Sequence, residues 1–198
     1  MAIIKTGLAG LALALATTLA GATTLAGNLG DTGNGALVGS DLGAADFTDA
    51  NAVADNVALY TFTVNHAGTV SIVSTGFAGG GVDPYFTLFA GSGNTATFLD
   101  SNYVQATSTG GDFTWTGSLG VGSYEIALGA FENMSFAENL GTGTLGDGFI
   151  FLGDPNSLGS GAYSLTLSTP VPEPTSAWLL GIGLALVGTR ACRTRRVG

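Results

Sequence analysis

From Val57 onward, apolar and polar residues alternate with a period of two, the spacing of a strand with one buried face. Tyr60, Phe62 and Val64 fall on one side, with Thr61 and Thr63 between them. Asn65-His66-Ala67-Gly68 interrupts the run, and Val70 and Ile72 resume it around Ser71, a pattern that predicts a hairpin. Apolar-rich stretches at 85–90, 95–99, 113–119, 124–130, 148–152 and 162–168 predict further strands. Glycine-rich turns separate them, among them Gly79-Gly80-Gly81, Gly91-Ser92-Gly93 and Gly110-Gly111. About eight short strands, with no helical period between them, predict an all-β domain over 57–170: an antiparallel β-sandwich or jelly roll.

The two ends of the chain carry different patterns. Residues 1–22 read as a signal peptide, predicted as a helix: Lys5 gives the positive start, 7–19 is apolar apart from Thr17 and Thr18, and Ala20-Gly21-Ala22 supplies small residues. Cleavage is expected after Ala22, with Ala26 as the alternative. Residues 23–56, rich in Gly, Ala and Asp, predict an irregular leader holding at most one short edge strand, with one helical turn between Leu42 and Ala50. The tail, 171–198, has three parts. Pro172, Glu173 and Pro174 form a non-helical step, about 175–189 is uncharged and apolar, and Arg190, Arg193, Arg195 and Arg196 follow. The uncharged residues from Pro174 to Thr189 would span roughly 24 Å as a helix, short of the hydrocarbon thickness of a bilayer. The arginines orient such a transmembrane helix with its end in the cytoplasm.

Charge changes the picture. The five basic residues are Lys5 and the four tail arginines, against 14 acidic residues. Without its two ends the chain keeps every carboxylate but Glu173, and no lysine or arginine at all. Nucleic acid is therefore excluded as a partner of the middle domain, because phosphate binding needs cationic side chains. The single cysteine, Cys192, lies in the tail, so the domain has neither a disulfide framework nor a cysteine metal site.

Candidate chemistry is sparse. Asp83, Asp100 and Asn102 offer oxygen ligands suited to Ca2+, although no contiguous calcium-loop motif surrounds them; solvated turn residues are the competing reading. Trp115, between Thr114 and Thr116, is the candidate for stacking on a sugar if its face turns outward; the alternative for it and the other strand aromatics is core. His66 is the only histidine, sits at a turn, and has no partner for zinc and no G-x-S-x-G elbow. No catalytic residue is nominated.

The tail resembles the PEP-CTERM sorting signal of exported proteins in Gram-negative bacteria. The resemblance rests on Val171-Pro172-Glu173-Pro174-Thr175, the short helix over 177–188 and the arginine cluster, here interrupted by Ala191, Cys192 and Thr194. The same segment also carries the name ice-binding protein C-terminal domain, which does not establish ice binding. The resemblance implies processing by an exosortase-type membrane protease, in bacteria that often make exopolysaccharide and biofilm. The middle domain is similar to a PEP-CTERM-associated family related to pre-peptidase C-terminal β-sandwich domains. The match is carried by Asp83-Pro84-Tyr85-Phe86-Thr87-Leu88-Phe89, by Leu119-Gly120-Val121-Gly122-Ser123-Tyr124, and by Asn133 with Gly148-Phe149; Asp100-Ser101-Asn102 stands where that family has paired aspartates.

Together these features predict an exported, non-enzymatic cell-surface or matrix protein. It would be handled by signal peptidase and exosortase, held in the membrane by its tail before processing, and placed where it meets exopolysaccharide. The alternative is a carbohydrate- or Ca2+-binding module on an uncleaved membrane anchor.

Overall fold

The computed structural model describes residues 21–34, 36–37, 50–102, 107–108, 111–150, 152–171 and 183. The expected signal helix and tail helix lie outside the described residues, apart from a helical Gly183. Among the described residues no helix is long and apolar enough to cross a membrane. Ala20 to Val171 forms one compact unit.

That unit is two antiparallel sheets. The strands are β1 (Gly21–Asn28), β2 (Ala36–Leu37), β3 (Asn56–Val64), β4 (Gly68–Thr75), β5 (Pro84–Ala90), β6 (Thr97–Ser101), β7 (Thr107–Ser108), β8 (Phe113–Leu119), β9 (Gly122–Ala130) and β10 (Ala162–Thr169). One sheet runs β1-β10-β4-β8-β7 and the other β2-β3-β9-β5-β6. Among the described residues, short helices α1 (Ala50–Ala54) and α2 (Phe136–Leu140) accompany them.

The expected hairpin at 57–72 is corrected. Its two strands form, but β3 pairs with β9 and β4 pairs with β10 and β8, so the turn at Asn65–Ala67 is an arch between sheets. Alternation puts Ala58 and Val64 on the inner face of one sheet, opposite Val70 and Ile72 on the other, and all four join one core. A hairpin would have set those residues side by side on a single face. The described residues of the expected strand at 148–152 do not form one. There is only an isolated bridge between Ser135 and Phe149, because Phe149 drops singly into the core and the glycine before it takes a φ of 83°.

In the sheet containing β3, β9 and β5, β5, most of β9 and the start of β3 are buried on both faces, while Thr61 and Thr63 of β3 are exposed. Inward residues Phe86, Leu88, Ile126 and Leu128 meet Phe113, Trp115, Leu165 and Leu167 of the other sheet. The outward residues Val57, Phe89 and Ala127 are covered by Ala137 of α2 together with Leu145 and Phe149. Segment 131–149 is thus a lid of side chains over the second face. Phe86 supplies the centre of the main core, stacked on Phe113 at 4.5 Å and set edge-on to Trp115 at 6.3 Å.

The leader is more ordered at its start than expected. β1 is an eight-residue edge strand that pairs along β10 from Gly21↔Thr169 to Asn28↔Ala162. It begins inside the expected signal segment, and a cut after Ala26 would remove all of it but Gly27 and Asn28. Leu29, just beyond it, is fully buried, and its carbonyl accepts a hydrogen bond from the Asn56 amide. A chain starting at Gly27 should therefore melt below one starting at Thr23. Loss of the Leu25 contact and most of the ladder should cost ~1–2 kcal/mol, or roughly 2–8 °C in a thermal unfolding scan.

Candidate functional site

The most concentrated chemistry in the unit sits under α2. Ser135 caps that helix, its hydroxyl accepting from the Glu138 N–H at 3.0 Å, and Gly141 ends it with a φ of 73°. Ser135-Phe136-Ala137-Glu138 is a capping-box sequence, yet the glutamate side chain is used elsewhere. It points onto the outer face of β5 and β6. There Tyr85 Oη and Ser101 Oγ both donate to Oε1 at 2.5 Å, and Thr87 Oγ1 lies 3.4 Å from Oε2. Tyr85, Thr87 and Ser101 are at most 2% exposed and Glu138 is 8% exposed, so the cluster is closed to any substrate.

No lysine or arginine is available to this carboxylate from anywhere between Thr6 and Thr189. Burial raises the Glu138 pKa above its ordinary 4.5, while hydrogen bonds from Ser101, Tyr85 and Thr87 pull the other way. The Tyr85 phenol is pushed well above the ordinary tyrosine range, first by burial and then by its bond to Glu138. This arrangement fastens α2 to the sheet; it has no exposed nucleophile and no histidine, since His66 stays exposed at the β3–β4 arch.

Three of the residues expected to bind Ca2+ or a sugar, Asp100, Asn102 and Trp115, make hydrogen bonds within the fold. Trp115 is only 3% exposed, which corrects the stacking role expected for it. The alternation of β8 turns Phe113, Trp115 and Leu119 inward and leaves Thr114 and Thr116 outside. Its ring lies over Gly117, where an added Cβ would come within 2.4 Å of Cζ2, and its Nε1–H donates to Asp100 Oδ2 at 2.9 Å. The other oxygen of Asp100 accepts from the Ser101 N–H at 2.9 Å. Asn102 brackets β5, accepting from the Phe86 N–H at 2.9 Å and donating to the Pro84 carbonyl at 3.0 Å. Asp83 lies beside that junction with its pKa raised, chiefly by burial and secondly by the negative charge of Asp112. Among the described residues no group of three His, Cys, Asp or Glu side chains could hold a metal ion. A cavity of about 190 Å3 near the start of β10 is lined by Thr75, Gly81, Ser160, Tyr163 and Ser164 with three further small residues, none of them charged.

At the end of the unit, Pro170 packs where a Cβ on Gly68 would stand, 3.1 Å from it, and Val171 adjoins Gly21. In sequence, the Pro-Glu-Pro step follows Val171 directly. Residues 170–196 match the PEP-CTERM protein-sorting motif. That span contains Pro172, Glu173 and Pro174, the apolar stretch and all four arginines; beyond Val171 these residues lie outside the described ones, Gly183 aside. The PEP-CTERM match leaves the domain before it unassigned. A crystal structure of the pre-peptidase C-terminal domain of a collagenase from Bacillus anthracis is similar to 73% of this chain and 87% of its own, at 16% identity and a TM-score of 0.36. No curated protein matches the chain.

Glu138 was not among the acidic residues that the sequence singles out, because it lies inside a short helix rather than at a strand end. The capping-box spacing from Ser135 is the signal that marks it as special.

The raised pKa fixes a sign. Folded Glu138 holds its proton where the unfolded chain has already lost it, so its stabilising share is complete below about pH 4.5 and is lost as pH rises through the folded value. Glu138→Gln should flatten this part of the stability–pH profile and keep the fold, since the amide still accepts from Tyr85 and Ser101. Glu138→Ala should cost ~2–4 kcal/mol by stranding buried hydroxyls. Chemical denaturation between pH 4 and 8 reads both outcomes.

Proposed function

We propose that this chain is an exported, non-enzymatic protein of the cell surface or extracellular matrix, delivered by its PEP-CTERM signal and processed by an exosortase-type membrane protease. The observation that carries the reading is the match over residues 170–196. It is supported by the short apolar stretch and the arginines behind it, which suit transient retention with the last residues in the cytoplasm. The compact unit ends at Val171, immediately before Pro172. A cut at or after the Pro-Glu-Pro step would therefore release the whole sandwich without breaking a strand.

The non-enzymatic part of the reading is supported by the chemistry of the unit. Its densest set of titratable and hydroxyl groups is sealed under α2, and its histidine stands at an exposed turn. The N-terminal segment would direct export and be removed by signal peptidase, leaving an acidic body with no lysine or arginine. Such a surface repels other polyanions and stays soluble among them.

Changing Pro172, Glu173 and Pro174 together to Ala should leave the full-length chain in the membrane fraction, with little or none released. Cell fractionation and intact-mass measurement of the released protein decide this. Release of the triple variant at the wild-type level, or an exported protein still bearing Arg190 to Arg196, contradicts the sorting reading.

A further inference from the structure

We propose that the outer face of β10, β4 and β8, with the cavity at its end, binds an uncharged polysaccharide chain. Alternation along these strands sends Leu165, Ile72 and Trp115 into the core and turns serine and threonine outward. Register then lines the outward residues up across the strands. Thr166 stands beside Val73 and Val73 beside Thr114, while Ser168 stands beside Ser71 and Ser71 beside Thr116. A third row begins with Ser164 beside Thr75. Neighbouring strands lie about 4.8 Å apart and successive outward residues of one strand about 6.7 Å, so hydroxyls repeat in both directions. Every residue of these rows except Val73 carries a hydroxyl, and none of those hydroxyls bonds to another described residue.

The chemistry of the face selects its ligand. A serine or threonine hydroxyl donates, accepts and rotates to suit its partner, and a sugar hydroxyl does the same. The rows hold no lysine or arginine for an anionic polymer and no carboxylate for a cationic one. Asp112, two residues before Thr114, already accepts from the Ser74 hydroxyl at 3.1 Å. A neutral chain is also one that the acidic body does not repel. Strand directions rotate by roughly 20–25° from one strand to the next, so the rows fan out. A flexible chain follows that twist and a flat crystal lattice does not. The end of the face adds depth, because Ser164 and Thr75 also line the cavity of about 190 Å3, with Ser160 and Gly79. That volume is below the roughly 300 Å3 at which drug-sized sites begin, so it seats one sugar while its neighbours lie on the rows.

None of these residues lies within 1–26 or 171–198, so full-length and exported chains present the same face whether or not the sorting reading holds. Frontal affinity chromatography of either chain tests it on columns carrying dextran, laminarin or galactomannan, with alginate and chitosan as charged probes. At least one neutral polymer should retain the protein, and added salt should not weaken retention, since no ion pair forms. Ser71→Ala with Thr116→Val removes two hydroxyls of one row and should weaken retention at least tenfold. A Cβ added at Gly79 meets nothing within 4 Å, so Gly79→Leu should fill the cavity and weaken retention similarly. Thr61→Val with Thr63→Val removes as many exposed hydroxyls from β3 and should change nothing. All three variants should melt with the wild type. The proposal is overturned if no neutral polymer retains the protein, or if only a charged one does and salt abolishes it. Equal retention of the wild type and either site variant, or an equal loss in the β3 control, also overturns it. Binding without release, or release without binding, tells this proposal and the sorting reading apart.

Discussion

No carboxylate between Thr6 and Thr189 has a lysine or arginine in that stretch to pair with. Three buried acidic groups, Asp100, Glu125 and Glu138, are therefore offset by neutral donors. Asp100 takes the Trp115 indole N–H and a backbone amide. Glu138 takes the hydroxyls of Tyr85 and Ser101, and Glu125 accepts from the Gly93 N–H at 2.6 Å. At the surface, Asp31, Asp147 and Asp154 each bind backbone N–H groups of their own turns. Hydrogen bonds to charged acceptors contribute more than neutral ones, and leaving such an acceptor bare in the interior would cost more still. Asp100, which looks like a metal ligand in the sequence, is spent on this task.

The second constraint is two-sided burial. β3, β9 and β5 carry apolar residues on both faces, so one sheet opposite is not enough to cover them. The segment 131–149 supplies the missing layer with Ala137, Leu145 and Phe149, and Glu138 anchors that layer through Tyr85 and Ser101. Packing and polar bonding are coupled here. The carboxylate that holds α2 down is protected by the hydrophobic lid that α2 completes, which is also why its pKa is displaced by burial before anything else.

For function, the relevant consequence is a sealed body with an accessible exit. Its densest chemistry is internal, its first strand and last strand lie side by side, and the PEP-CTERM match begins at residue 170, one residue before the compact unit ends at Val171. The segments that would engage export and sorting machinery thus leave from neighbouring points on one strand pair. A cut after Ala22 would take only Gly21 and Ala22 from β1 and leave Leu25 on the core, whereas a cut after Ala26 would remove that contact.

By itself the sequence determined the strand content and the destination signal. The period-two runs at 57–64, 113–119 and 124–130 each became a strand, since alternation directly encodes one buried face. The tail was legible because proline, apolar length and arginine act locally, without a folded context. Only the tertiary structure decided which strands pair. Asn65–Ala67 is compatible with a hairpin or an arch, and the choice fell to whether Val64 and Val70 lie beside or across from each other in the core. It likewise decided that Trp115 faces Asp100 rather than solvent, and that Glu138 is buried. Burial of a side chain depends on what packs over it from distant parts of the chain, and no local pattern carries that information.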